Sequence, residues 1–161
     1  MHSLYYVLKG TNAMHRHDDD AVIANYSRAI EISPEDLDYY YARGHAYWHK
    51  QELGLAIADF STALDLSPND LYAHLVRGAI YREKGYLARA ISDLTFVIES
   101  KHAPPVAYYL RGHCHAEEKD FPAALADLAE ALEEDPYDER ALQLKEWCEK
   151  KVAAANGPAK E

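Results

Sequence analysis

The chain has 161 residues, 48% of them hydrophobic, and a formal net charge of −10. That length and apolar content suffice for a folded core and exclude an intrinsically disordered chain. The acidic balance disfavours a phosphate backbone as partner, no apolar run reaches membrane-spanning length, and two cysteines, Cys114 and Cys148, give neither a disulfide framework nor a zinc ribbon.

The N-terminal stretch MHSLYYVLKGTNAMHRHDDD has no basic segment followed by an apolar one, so no secretory leader is read. Together with two free thiols this predicts a cytoplasmic protein. Within the stretch, Gly10 starts a period: Gly10, Gly44, Gly78 and Gly112 are spaced by 34 residues each time. A shift of 34 aligns Ile23, Ile57, Ile91 and Leu125, and likewise Tyr26, Phe60, Leu94 and Leu128. A fixed period of this length is the mark of a repeat array. The repeats run 3–36, 37–70, 71–104 and 105–138.

Each repeat holds two helical stretches. In the first, Asp18-Asp19-Asp20 opens the second helix, where acidic residues suit the helix dipole. In the second, helices are predicted over roughly 37–50 and 53–66, with Leu53, Ala56, Ile57, Phe60, Ala63 and Leu64 on one face. Pro34, Pro68 and Pro136 close three repeats; the other has His102 in that column and Pro104-Pro105 just beyond. Lys84-Gly85 breaks the third pair, and Pro122 falls at a first helical turn. A capping helix over 139–153 follows, with Ala141, Leu144 and Cys148 covering the last repeat and Trp147 expected in the core. Residues 156–161 read as a disordered tail, so 1–155 is one domain.

A glycine inside a helix costs about 0.5–1 kcal/mol relative to alanine. The column Val22, Ala56, Ala90 and Ala124 on the partner helix is small in three cases, so the glycines are expected to face it and let two helices close up. Arg43, Arg77 and Arg111 share their repeats with Asp59, Asp93 and Asp127, which predicts a recurring ion pair, within a repeat or to its neighbour. Cys114 and Cys148 lie in one column. Packed helices stand about 8–10 Å apart and a disulfide needs Cα atoms within about 7 Å, so no bond is expected.

Tyr40, Arg43-Gly44, Tyr47, Ala56, Phe60 and Pro68 follow the pattern of the tetratricopeptide repeat, which this chain resembles over 3–138 in four in-phase copies. The departures are Arg or Lys before the glycine, Val22 for alanine, and His115 for the tyrosine. The resemblance implies an all-α fold, a right-handed α-α superhelix of four helix pairs plus the C-terminal cap. It also implies a scaffold or adaptor that binds a protein or peptide on its concave side, lined by the first helix of each pair.

Carried over, that side offers Tyr41, His45, Trp48 and His49, then Tyr72 and Arg82, then Tyr109 and His113. Rigid aromatics there suit a peptide segment or a partner helix. Tyr40, Tyr47, Tyr81 and Tyr108 are expected to pack between helices instead. The carboxylate clamp of co-chaperone members is missing: its places hold Val7, Thr11, Ala42, Tyr72 and Val76.

No phosphate-cradling glycine loop, nucleophile elbow or His-Glu-x-x-His motif occurs, so no catalytic residue, enzyme activity or cofactor is assigned. Two alternatives to an adaptor stay open. One is self-association through an end repeat. The other is a metal site in which His45 and His49, one helical turn apart, are joined by Glu83.

Overall fold

A computed structural model describes residues 2–101 and 103–155 of the chain. His102 and the tail 156–161, the subject of two expectations above, lie outside the described residues. Among the described residues the chain forms nine helices and no strand: α1 (His2–His15), α2 (Asp19–Ile32), α3 (Leu37–His49), α4 (Leu53–Leu66), α5 (Leu71–Glu83), α6 (Leu87–Ile98), α7 (Pro105–Glu117), α8 (Phe121–Glu134) and α9 (Glu139–Ala155). This is the expected order of four pairs and a cap.

The turn inside each pair is built the same way. His17, Gln51, Gly85 and Lys119, one per repeat, all have positive φ, at 55°, 61°, 80° and 66°. Each donates its N–H three residues back, and the next residue donates five back: Gln51 to Trp48 and Glu52 to Tyr47, both at 2.9 Å. These are Schellman ends, which satisfy two orphan carbonyls of the preceding helix. Only the third repeat uses the residue type that adopts this conformation without cost, Gly85. Two of the following helices, α2 and α8, start on Asp18 and Asp120, whose carboxylates accept from Ala21 N–H and Ala123 N–H, both at 3.1 Å.

The helices cluster into two compact units, one ending at Ile80 and one beginning at Tyr81, within α5. In the first, Ala13, Val22, Tyr26, Ala29, Tyr39, Ala42 and Ala46 form one core cluster. A second gathers Tyr40, Phe60, Leu64, Ala73, Val76 and Ile80. The core of the second unit holds Ala116, Ala124, Leu128, Ala141 and Cys148, with Leu144 half-buried against it.

The helical glycines are close-approach positions: Gly112 faces the expected Ala124, whereas Gly10 and Gly44 meet the aromatic column instead. A Cβ on Gly44 would stand 2.9 Å from Phe60 Cε2, and one on Gly10 2.5 Å from Tyr26 Cε2. On Gly112 it would stand 3.2 Å from the Ala124 carbonyl oxygen and 3.3 Å from Leu128 Cγ. The aromatic or leucine column one turn further along fills the space, and the small column admits the backbone. The rings therefore lie directly on the glycine Cα, where dispersion contacts offset the propensity lost.

Two of the expected ion pairs are present within single repeats. Arg43 donates through Nε and Nη2 to Asp59 at 2.9 and 2.7 Å, and Arg111 grips Asp127 at the same two distances. Asp59 and Asp127 are buried. The third nitrogen reaches the preceding repeat: Arg43 Nη1 donates to Ser27, Arg77 Nη1 to Ser61 and Arg111 Nη1 to Thr95, at 3.0–3.1 Å. One guanidinium thus ties both helices of its own pair to the helix before. The fork geometry that makes this possible belongs to arginine and not to lysine.

Cys114 and Cys148 are free and fully buried. Burial pushes the Cys114 thiol up to about 12, so it carries no thiolate chemistry at neutral pH. Trp147 departs from expectation: it stays 43% exposed, touching Phe121 edge-on at 5.6 Å. No helix follows α9 among the described residues to cover that side of it.

Candidate functional site

The eight candidate residues fall into two clusters, one in each unit. In the first unit α3 carries Tyr41, His45, Trp48 and His49, and α5 carries Tyr72. Their spacing on α3 puts Tyr41, His45 and Trp48 on one stripe, opposite the face that packs Tyr39, Ala42 and Ala46 into the core.

Three of these side chains meet. Tyr72 Oη and His45 Nε2 are 2.6 Å apart, and the Tyr41 and Tyr72 rings meet edge-on at 5.3 Å. Tyr41 Oη donates to Asp70 Oδ2 at 2.7 Å. Asp70 also accepts the Ala73 N–H at 2.8 Å, so the carboxylate that caps α5 fixes the tyrosine of α3 as well. Phe60 supports the cluster from below, stacked on Tyr41 at 5.8 Å and edge-on to His45 at 5.2 Å. Trp48 stacks on His45 at 6.0 Å.

The electrostatics follow from burial. His45 is held below its usual range by burial and, less, by His49. It is neutral at pH 7, and Nε2 shares a hydrogen bond with the Tyr72 hydroxyl. Burial, with help from Asp70, raises both Tyr72 and Tyr41, so both hydroxyls stay protonated donors. His49 faces away from the rings, with Nδ1 3.4 Å from Asp19 Oδ1, and Lys50 reaches Asp20 beside it. A cleft of about 200 Å³ lies there, lined by Met14, His17, Asp19, Val22, His45 and His49 among others. Among the described residues no group of three side chains is placed to hold a metal ion, and His45 is committed to Tyr72.

In the second unit the candidates are Arg82 on α5 and Tyr109 and His113 on α7. Glu117 gathers two of them: its Oε1 is 2.9 Å from His113 Nδ1 and 3.6 Å from Arg82 Nη1. Tyr109 lies edge-on to His113 at 6.1 Å, and Arg140 of α9 stands 5.1 Å above its ring. Beside them His113, Ala116, Glu117, Leu144 and Trp147 line a cleft of about 290 Å³. Asp70, Phe60, Arg140, Leu144 and Trp147 were not read from the sequence as site residues. Only Trp147, a large aromatic on an end helix, carried a signal that could have marked it.

Both clusters are sets of side chains projecting from packed helices, with no nucleophile–base pair among them, and no helix among the described residues is long and apolar enough to cross a membrane. The described residues form an all-α helical repeat array. Models of the tetratricopeptide repeat match residues 18–51, 37–70 and 75–139, and the chain belongs to this family, whose members generally mediate protein–protein interactions. No curated relative matches the chain. Among solved structures, residues 41 to the end of MamA from Desulfovibrio magneticus RS-1 align with a TM-score of 0.88 at 20% identity, over 95% of this chain and 89% of that one. PilW, a widely conserved type IV pilus biogenesis factor, aligns with 0.77 at 17% identity, over 98% and 79%. The Cut9–Hcn1 hetero-tetramer of the APC/C gives 0.78 at 18% identity, over 92% of this chain and 30% of the other.

Proposed function

We propose that the chain is a non-catalytic interaction module that holds a peptide segment or a partner helix against the first helices of its pairs. The observation that carries this reading is the ring cluster of Tyr41, His45, Trp48 and Tyr72. Tyr72 is 48% exposed, yet its hydroxyl is fixed on His45 and its ring on Tyr41. Aromatic area already held in place binds at low entropic cost. Cut9–Hcn1 supports it by analogy, as a related fold found in a complex with a second protein. The two buried thiols support a cytoplasmic setting. A Trp48→Ala, Tyr72→Ala double variant is expected to bind the partner at least about tenfold more weakly with helicity unchanged. Unchanged affinity places the site elsewhere.

A second reading, self-association through the first repeat, is favoured by α1. Its Leu4, Tyr5 and Leu8 are 70%, 55% and 62% exposed. Tyr39 and Ala42, which occupy the columns of Tyr5 and Leu8 one repeat on, are buried against the helix before them. Sedimentation of the chain and of its Leu8→Ser variant tests this: a dimer that becomes a monomer supports it, and two monomers dismiss it.

A further inference from the structure

We propose that Tyr137, in the turn between α8 and α9, is a phosphorylation site for a protein-tyrosine kinase that selects acidic flanks. The modification goes beyond the peptide-binding reading and does not depend on it. Tyr137 is 87% exposed, more than any other large apolar or aromatic side chain among the described residues. A ring so placed buries almost no area and contributes little to the fold. Its column holds Glu35, Asn69 and Ala103 in the other repeats, so the repeat does not call for an aromatic there. Among the described residues the Tyr137 ring and hydroxyl make no hydrogen bond or ring contact. The backbone, by contrast, is held: Tyr137 N–H donates to Asp135 Oδ1 at 3.2 Å, and Asp138 N–H to the Asp135 carbonyl at 3.3 Å. With Pro136 restricting one more torsion, the turn presents the hydroxyl on a short, defined arm.

The flanks say which class of enzyme. Glu133, Glu134 and Asp135 precede Tyr137, Asp138 and Glu139 follow it, and Arg140 is the nearest cation in either direction. Such a run suits a substrate groove lined by lysine and arginine and repels an acidic one. The segment can also be delivered to a groove: the nearest buried residues on either side are Ala131 and Ala141, and helix ends between such anchors open at low cost. ATP supplies the phosphoryl group. Tyr137 Oη bonds to the γ-phosphorus, the bond from that phosphorus to the bridging oxygen of ADP breaks, and the phenol proton passes to the kinase's carboxylate base. The product carries about −1.5 to −2 charges. Arg140 is held by Asp138 at 2.9 Å and lies 5.1 Å over the Tyr109 ring. A phosphate three residues away competes for that guanidinium and draws it off Tyr109, a residue of the candidate site.

The full chain is treated with ATP, Mg²⁺ and an acid-preferring protein-tyrosine kinase, and the phosphate is located by tandem mass spectrometry. Tyr137 is expected to be modified first, about tenfold faster than Tyr5, Tyr72 or Tyr86, which are 55%, 48% and 45% exposed but have no such flanks. Tyr137→Phe is expected to remove that first phosphate. Glu133→Lys, Glu134→Lys, at two exposed positions, is expected to slow Tyr137 about tenfold with helicity unchanged by circular dichroism. No phosphate on Tyr137, faster modification of another tyrosine, or an unchanged rate in the lysine variant overturns the proposal. In the stoichiometrically phosphorylated chain the Tyr109 ring resonances are expected to shift, and in Arg140→Ala phosphorylation is expected to leave them in place. Resonances that stay in place in the phosphorylated parent chain overturn the link to Tyr109.

Discussion

The two units share one device and differ in another. Arg43–Asp59 in the first and Arg111–Asp127 in the second have the same bidentate geometry, and each arginine reaches back to a hydroxyl of the preceding repeat. The outward stripes of the first helices have diverged. In the first unit they build a ring cluster around a neutral histidine; in the second, a charged group around Glu117 beside an apolar cleft. Positions that hold neighbours together are constrained by a geometry that recurs every 34 residues. Positions on the other face are not held to that repeating geometry, and there the two units carry different side-chain chemistry.

The largest test of the shared device removes its acid. Asp59→Ala and Asp127→Ala each leave a guanidinium beside a buried gap, which costs about 3–5 kcal/mol for a fully buried pair. Both arginine side chains keep 20% exposure, so about 2–3 kcal/mol is expected, read from urea unfolding midpoints. The two losses should agree within about 0.5 kcal/mol, the usual tolerance for independent sites. A larger gap breaks the equivalence of the units. Replacing Arg43 and Asp59 together with apolar residues should recover much of the loss, since desolvation of both charges is then avoided.

The glycines come next. Gly44→Ala forces a methyl against the fully buried Phe60 ring, and Gly112→Ala against the backbone oxygen of Ala124. Overpacking of this kind costs about 1–3 kcal/mol, against a helix-propensity gain of at most about 1 kcal/mol. The net loss is expected to be about 0–2 kcal/mol. Gly112→Ala should be the worse if a backbone atom yields less readily than a ring. Thermal unfolding of the two variants decides which obstacle is stiffer.

The turn residues sharpen the comparison at smaller scale. Gln51 in the first unit and Lys119 in the second sit in the left-handed region, whereas a Cβ on Gly85 would meet nothing within 4 Å. The cost of a side chain there is purely that of the backbone, about 1 kcal/mol. Gln51→Gly and Lys119→Gly should each raise stability by up to that amount, and Gly85→Ala should lower it by about 1 kcal/mol. An unchanged melting temperature in all three would mean that the turns are already strain-free.

What could be read from the sequence was what repeats. The helix pairs, the glycines and the Arg–Asp columns followed from a single shift of 34 residues. The hydroxyl column of Ser27, Ser61 and Thr95 was equally open to that shift but goes unnoticed until the arginines are seen to reach it. The glycine partner was met at Gly112, which faces Ala124, and lies one turn further along at Gly10 and Gly44, because a period gives columns but not the offset between two facing helices. Trp147 was assigned to the core because its helix is amphipathic; its exposure depends on whether another helix packs behind it, which no local pattern encodes. The bond from Asp70 to Tyr41, 29 residues away, exists only once α3 and α5 are side by side.

The ring cluster also gives the first unit a pH response that can be isolated. His45 is held below its ordinary value by burial, and His49 pushes it the same way. The unfolded chain therefore binds a proton that the folded chain refuses, in the window below the unfolded value of about 6.5. Stability rises with pH through that window, is complete above it, and is lost as pH falls through the folded value. Once protonated, both ring nitrogens are donors, so the Tyr72 hydroxyl then accepts from Nε2. His45→Gln keeps a polar group toward Tyr72 but cannot titrate. Its urea midpoint should fall less than that of the parent chain between neutral pH and mildly acid pH. His49 and the other histidines are common to both proteins, so the difference isolates His45; equal slopes would show that its ring is wet enough to charge freely and that the cluster is looser than its distances imply.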